Sequence, residues 1–436
     1  MWSWECFTPH PPVLVPQVGR GREEEARQSA EAMTKLGRVL GEEIPSLLLV
    51  LSPHAPFAGG ITISVAESYG GDFSMFGAPT PQFSFPGAPD RGLRLAEDLS
   101  PRFPAVVSRK RKVLLDHGAL VPLSFISAGE GRKQPGIILA NPIGLSPSAA
   151  FELGSYLAAL ADGEQWGLVA SGDLSHRVTR EAPAGFSPGG ARFDNLVVEA
   201  LRKNDPSGLL RLDAGEIEEA GECGLRSALV FLGLARKRNI RFLSYEAPFG
   251  VGYAVAYATL HAAPDLARKV PETFFTEGEG RAREEAARLS DLPEMAERAG
   301  CFVTLKKKGD LRGCIGTILP RKAGLAEEIA ENSLSAAFED PRFPPVEQRE
   351  LEDISISVDI LSVPEAVADT TLLDPKKFGV IVEKSGARGV LLPDLEGVDT
   401  VEAQLSIAAR KAGISDWRTA SVRKFTVRRI REMGRP

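Results

Sequence analysis

Apolar residues recur at two spacings along this chain, and the alternation between them predicts its elements. Glu23–Leu40 is charged and alanine-rich, with apolar positions at helical intervals, which predicts an amphipathic helix. Pro45 introduces Ser46-Leu-Leu-Leu-Val-Leu51, an unbroken apolar run that reads as a buried strand and stops at Ser52-Pro-His-Ala-Pro56. Gly136–Ala140 and Gly167–Ala170 repeat the theme, each followed by a loop, while Ala149–Ala161 and Gly224–Arg238 carry helical spacing. Val251–Leu260 alternates small and aromatic residues and reads as a final strand. Strands alternating with helices predict an α/β/α domain whose mixed central sheet is covered on both faces.

The pattern breaks at Ala262–Pro271, which separates a domain over 1–263 from a smaller α+β domain over 272–436. Gly278–Arg288 is charged and predicts a solvated helix. Gly300–Lys306, the turn Lys308-Gly-Asp310 and Leu311–Ile318 read as strand, tight turn and strand. Ala323–Ala337 and Val401–Ala412 are helix candidates, and Ile354–Leu361 and Gly389–Leu392 are strand candidates. Val422–Arg431 is basic and partly alternating, as in a solvated sheet edge whose charges block aggregation. No repeat of about 20–50 residues is present.

Bulk properties narrow the function classes. At roughly 100–200 residues per domain, the 436-residue chain holds two or three domains. A net charge of −6 gives no field for gripping nucleic acid. The start, Met-Trp-Ser-Trp-Glu, is unlike a signal peptide, and the longest apolar run is far too short to span a bilayer. The cysteines Cys6, Cys223, Cys301 and Cys314 form no C-x-x-C pair, so neither a zinc knuckle nor a disulfide framework is indicated, and a reduced, cytoplasmic protein is expected.

Histidine is scarce and unevenly placed. The five are His10, His54, His117, His176 and His261, all before residue 262. His10 sits in Thr-Pro-His-Pro-Pro, His54 in Ser-Pro-His-Ala-Pro directly after a buried strand, and His176 in Ser-Gly-Asp-Leu-Ser-His, just after another. Ligands of open α/β sheets gather at the carboxyl ends of strands, and prolines stiffen such loops, so three distant imidazoles can converge. A single histidine is more often a hydrogen-bonded structural residue, and the shared setting of His10 and His54 weighs against that. An acidic candidate, Glu222, stands with Cys223 before the helix that begins near Leu225. An anion is favoured there, and a plain capping role is the competing reading.

At these residues the sequence resembles the class III (LigB-type) extradiol ring-cleavage dioxygenases and the related Memo-like proteins. The matching pieces are Thr-Pro-His10-Pro-Pro, Ser-Pro-His54-Ala-Pro, Leu-Asp-His117-Gly-Ala-Leu-Val-Pro-Leu, Ser-Gly-Asp-Leu-Ser-His176 and Gly-Glu222-Cys223-Gly, in order along the first domain. The resemblance implies that His10, His54 and Glu222 bind Fe(II), that His176 is the acid/base, and that His117 lies near the substrate or bound oxygen. It implies a catechol-like substrate and O₂, with Asp173 and Ser175 fixing the tautomer of His176. In Memo-like relatives a cysteine takes the third-ligand position, which makes Cys223 the alternative. Glu222 is preferred here because a hard carboxylate suits iron(II) better than a thiolate.

The second domain resembles the AMMECR family, through Leu311-Arg-Gly-Cys-Ile-Gly-Thr317 supported by Ala336-Ala-Phe-Glu-Asp-Pro-Arg-Phe-Pro-Pro345. In microbes such domains keep company with Memo-like and radical-SAM proteins, which implies a radical-SAM partner and, as a second reading, a metal-binding scaffold without dioxygenase turnover. Within the motif, Arg312 could hold an anion and Cys314 could be a nucleophile. No histidine exists in this domain to activate the thiol, so a packed strand pair with glycines required by geometry is the reading preferred.

Overall fold

A computed structural model describes residues 2–41, 44–126, 134–160, 164–235, 238, 240–259, 262–290, 292–395 and 397–432. The far ends of the helix expected to reach Ala161 and of the strand expected to reach Leu260, parts of the helix expected over 224–238, and His261 lie outside the described residues. The chain divides into two compact units, Met1–Leu260 and His261–Pro436.

The first unit is built on one nine-stranded mixed sheet. Its strands are β1 (Trp2–Thr8), β2 (Leu47–Leu51), β3 (Ile61–Phe73), β4 (Ala78–Pro86), β5 (Ala105–Leu114), β6 (Gly136–Asn141), β7 (Trp166–Ser171), β8 (Ile240–Glu246) and β9 (Tyr253–Thr259). They lie in the order β4-β3-β6-β2-β7-β1-β9-β8, with β5 paired to β3. The centre, β6-β2-β7-β1, is parallel, and β9 and β3 flank it antiparallel. Every residue of β2, β7 and β9 is buried. Helices cover the sheet, and Leu225–Ala235, apolar almost all round, is buried at every position but Arg226, as a helix packed on several sides must be.

Because β1, β2 and β7 run parallel and adjacent, their carboxyl ends come out side by side, and His10, His54 and Asp173 follow them within a few residues. Two glycines bring a fourth segment to the same place. A methyl group at Gly172 would overlap the Cα of Gly224, so the end of β7 and the start of the helix Leu225–Ala235 touch backbone to backbone.

The second unit carries two antiparallel four-stranded sheets. One has the order β11-β10-β12-β17, from β10 (Cys301–Lys307), β11 (Asp310–Gly316), β12 (Ile354–Leu361) and β17 (Val427–Arg431). The other has the order β13-β16-β14-β15, from β13 (Glu365–Ala366), β14 (Gly379–Lys384), β15 (Ala387–Leu391) and β16 (Ser421–Phe425). The basic stretch read as one edge is therefore two strands, one in each sheet. The segment Ala262–Pro271, where the sequence pattern breaks, lies within the helix Ala262–Glu277, which tolerates Pro271 in its interior and buries Leu266, Ala267 and Val270 in the second core. The helix Glu279–Leu289 is charged but not fully solvated, since Ala282, Ala286 and Leu289 are buried.

The Gly172–Gly224 contact yields a test. Gly172→Ala should destabilise the first unit by about 1–3 kcal/mol through overpacking against backbone. Denaturant unfolding followed by tryptophan fluorescence reads this, since Trp2, Trp4 and Trp166 lie in that unit and Trp417 alone in the other. An unchanged midpoint would show that the contact is slack.

Candidate metal centre

His10 is the fixed point of the site. Its ring is buried at 2% exposure, and its backbone N–H donates to Asp173 Oδ1 at 2.9 Å. Its Nδ1 lies 2.9 Å from the Ser171 hydroxyl. With the Nδ1 hydrogen given to Ser171, Nε2 carries a lone pair. That atom lies 3.1 Å from His54 Nε2 and 3.7 Å from Cys223 Sγ. These three side chains are the described group whose donor atoms could hold one metal ion, all within 4.8 Å of one another. Bonds of about 2.0–2.1 Å to nitrogen and about 2.3 Å to sulfur place the ligands of a tetrahedral ion roughly 3.3–3.6 Å apart, so the spacing fits a single cation.

His117 adds a third ring. It stacks on His54 with centroids 4.5 Å apart and meets His10 edge-on at 5.3 Å. Phe76 packs against its other side at 5.8 Å. His54 and His117 are tied through their loops, since Ser52 Oγ donates to Asp116 Oδ1 at 2.6 Å and accepts the His54 backbone N–H at 3.2 Å.

Burial, and then the neighbouring imidazoles, hold His10 well below its ordinary pKa, and the same causes lower His117. His10 and His117 are therefore neutral at pH 7. Burial pushes Asp173 up to about 6, against the His10 N–H bond that favours its charge. The 3.7 Å approach of His10 Nε2 to Asp173 Oδ2 is too long for a hydrogen bond, and a neutral His10 makes no ion pair there. Burial, with Asp173 next, raises the Cys223 thiol well above its usual range. Only a bound cation would make that thiol an anion.

Glu222, expected as the third ligand, is not brought to this cluster. Its carboxylate accepts the Leu225 N–H at 2.6 Å and the Arg226 guanidinium at 2.7 Å, so it caps the helix Leu225–Ala235 and pairs along it. Adjacent side chains point apart, and at this turn it is Cys223 that faces His10. Asp173 accepts from His10 and its carbonyl accepts the Cys223 N–H at 3.4 Å.

His176 is held differently. Its Nδ1 lies 2.6 Å from the Gly221 carbonyl, which can only accept. The ring hydrogen is therefore on Nδ1, and Nε2 is left as a base. The loop that carries it is anchored by Asp194, whose carboxyl accepts the Ser175 N–H at 2.8 Å and the Tyr245 hydroxyl at 2.8 Å. Ser171, Ser52, Asp116 and Asp194 were not singled out in the sequence. Of these, Ser52, Asp116 and Ser171 stand within the quoted motifs, and only Asp194 lies outside them.

In the second unit, Arg312 is the extra residue of a β-bulge, for Leu305 opposes Gly313 and Lys306 opposes Leu311. The bulge turns its guanidinium onto Glu350 and the carbonyls of Pro344 and Pro345, and Arg312 in turn lowers Glu350 to about 2. Gly313 and Gly316 pack so closely on Ala336 and Phe302 that no side chain fits, while Cys314 Sγ lies 3.3 Å from Thr304 Oγ1.

Comparison with known proteins follows the same division. A family model described as the catalytic LigB subunit of aromatic ring-opening dioxygenase matches residues 5–256, and one described as AMMECR1 matches 264–430. A protein of Clostridium acetobutylicum is 35% identical over 469 residues, covering 97% of this chain and 98% of its own. A protein of Thermotoga maritima is 60% identical over 136 residues, covering 31% of this chain and 78% of its own. Among solved structures, an uncharacterised protein of Escherichia coli K12 is similar with a TM-score of 0.40 and 18% identity, over 58% of this chain and 99% of that one.

Asp194 makes the anchoring of the His176 loop measurable. Burial raises it from its ordinary 3.8 to about 7. Between those values the fold holds a proton that the unfolded chain releases, so this carboxyl favours the fold at low pH and its contribution fades as pH rises through about 7. Asp194→Asn mimics the protonated acid and should flatten the fall in stability between about pH 4 and 8. Parallel stability–pH curves for the two proteins would contradict this.

Proposed function

The chain belongs to the LigB family of aromatic ring-opening dioxygenase subunits, joined to an AMMECR1 domain, and from that premise we propose that its first unit is an Fe(II)-dependent oxygenase acting on a catechol-type ring. The carrying observation is the grouping of His10 Nε2, His54 Nε2 and Cys223 Sγ within 4.8 Å of one another, in a unit where His176 Nδ1 is engaged by the Gly221 carbonyl. Bound there, iron(II) would offer open positions to a diol and to O₂ and supply electron density to the latter. The remaining work falls to the chain itself. His176 Nε2 takes a phenolic proton and can return it, with Nδ1 fixed by Gly221. His117 stands beside the donors, stacked on His54 and backed by Phe76, where it limits water and can hydrogen-bond an oxygen atom of the substrate. Asp173 orients His10 from the backbone side.

Cys223 favours one second reading. A thiolate shifts preference toward softer ions, and the site would then hold metal without ring opening, as an accessory to a radical-SAM partner.

Metal analysis and oxygen uptake separate the two. After anaerobic loading with iron(II), His10→Ala, His54→Ala and Cys223→Ala should each lose most of the bound metal, whereas Glu222→Gln keeps it. His176→Ala should retain iron while turnover falls by about 10²–10⁴. Greater metal loss in Glu222→Gln than in Cys223→Ala would overturn the donor set. Stoichiometric iron with no oxygen uptake across a catechol panel would favour the accessory reading.

A further inference from the structure

The two sheets of the second unit meet along an apolar seam in which Leu361, Ile381 and Phe425 are buried, with Phe302, Leu392 and Val427 packed on it. Beyond the seam a cavity of about 370 Å³ opens between the face of β10-β12-β17 and the segment that follows β15. The register fixes which residues line it. Thr304 opposes Ser357, which opposes Arg431, and Lys306 opposes Ser355, so all five share one face. The opposite face carries Val303, Leu305 and Val358 into the helical core. A strand pair with one apolar and one solvated face needs polar residues here, but it does not need these.

Charge pairing in the lining is incomplete in one direction only. Asp359 is taken by Arg429 through two bonds of 2.7 and 2.9 Å. Glu432 is taken by the buried Arg268 at 2.6 Å. Asp394, in the segment after β15, acts electrostatically on Arg429 and lies 3.7 Å from Lys376. Lys306 and Arg431 have no ion pair among the described residues, and the hydroxyls of Ser355 and Ser357 have no protein partner there. Their strands are separated by β12, and their positions by two residues, so the backbones stand roughly 12 Å apart and both long side chains reach one small molecule between them. Two uncompensated cations in a concavity repel each other and concentrate anions.

We propose that this cleft binds a small dianion, a phosphate monoester or a dicarboxylate, held by Lys306 and Arg431 and hydrogen-bonded by Thr304, Ser355 and Ser357. Such an occupant sits next to the Cys314 thiol, whose backbone is clamped on both sides. Asp340 accepts its N–H at 2.8 Å, and Arg342 donates to its carbonyl at 2.9 Å. The site uses none of the first unit's residues and stands independently of the oxygenase reading.

Titration calorimetry on the full chain tests it, with glycerol phosphate and malonate as probes at constant ionic strength. Saturable one-to-one binding of either supports the site, and the tighter of the two identifies the source of the dianion. Lys306→Glu and Arg431→Glu should each weaken that binding at least about tenfold, the loss expected for one charge-assisted hydrogen bond. Lys308→Glu, on the exposed turn outside the cleft, should leave it within about twofold. Circular dichroism checks that the variants are folded. Absence of saturable heat with both probes, or binding indifferent to both charge reversals, overturns the proposal.

Discussion

Two backbones touch at Gly172 and Gly224, and the candidate site depends on that contact. The parallel strands β1, β2 and β7 deliver His10, His54 and Asp173 to one end of the sheet without further help, because parallel neighbours end on the same side. Cys223 arrives from a distant part of the chain, before a helix that packs on the sheet. It reaches His10 only because neither glycine carries a side chain. The contact is then stitched by the Cys223 N–H to the Asp173 carbonyl, and by the Gly172 N–H to the Thr8 carbonyl at 2.9 Å. The same stitching ties Asp173 to His10, so donor, neighbour and second neighbour form one rigid piece.

That rigidity has an energetic consequence. Two imidazoles whose Nε2 atoms meet at 3.1 Å, beside a thiol and a buried acid, contribute little to stability on their own. Burial costs each of them solvation, and the His10–Asp173 approach brings no full ion pair. The cost is offset by the apolar sheet below, where β2, β7 and β9 are entirely buried. A cation that binds only the folded arrangement would add stability by mass action. A sheet with a strong core can hold such a preorganised and unfavourable cluster, whereas a loop-built site could not.

The sequence made the central parallel strands and the convergence of His10 with His54 legible, because uninterrupted apolar runs ending in proline-flanked histidines are hard to read otherwise. It hid β3 and β5. Ser108-Arg-Lys-Arg-Lys112 looks like a solvated loop, yet it forms the exposed half of a strand paired along β3. It also hid the helix at Ala262–Glu277, where proline and alanine marked a boundary while nearly every residue from Ala262 to Pro271 is in fact buried. At the third position the structure sets Cys223, not Glu222, beside the two histidines. Hardness favoured Glu222, but a charged side chain one turn before an arginine at i+4 is better satisfied along its own helix.

This last point bears on what the centre can do. A carboxylate free to coordinate would have to give up the Leu225 N–H and leave the partly buried Arg226 with only the Leu145 carbonyl. The helix start therefore fixes Glu222 in place and leaves the sulfur as the nearest third donor. A sulfur donor raises electron density on a bound metal and tolerates softer ions, while two histidines keep the site open to iron(II). Whether the centre opens rings then turns on the base more than on the donor set. The Gly221 carbonyl engages His176 Nδ1, so Nε2 is the ring nitrogen available to exchange a proton with a substrate.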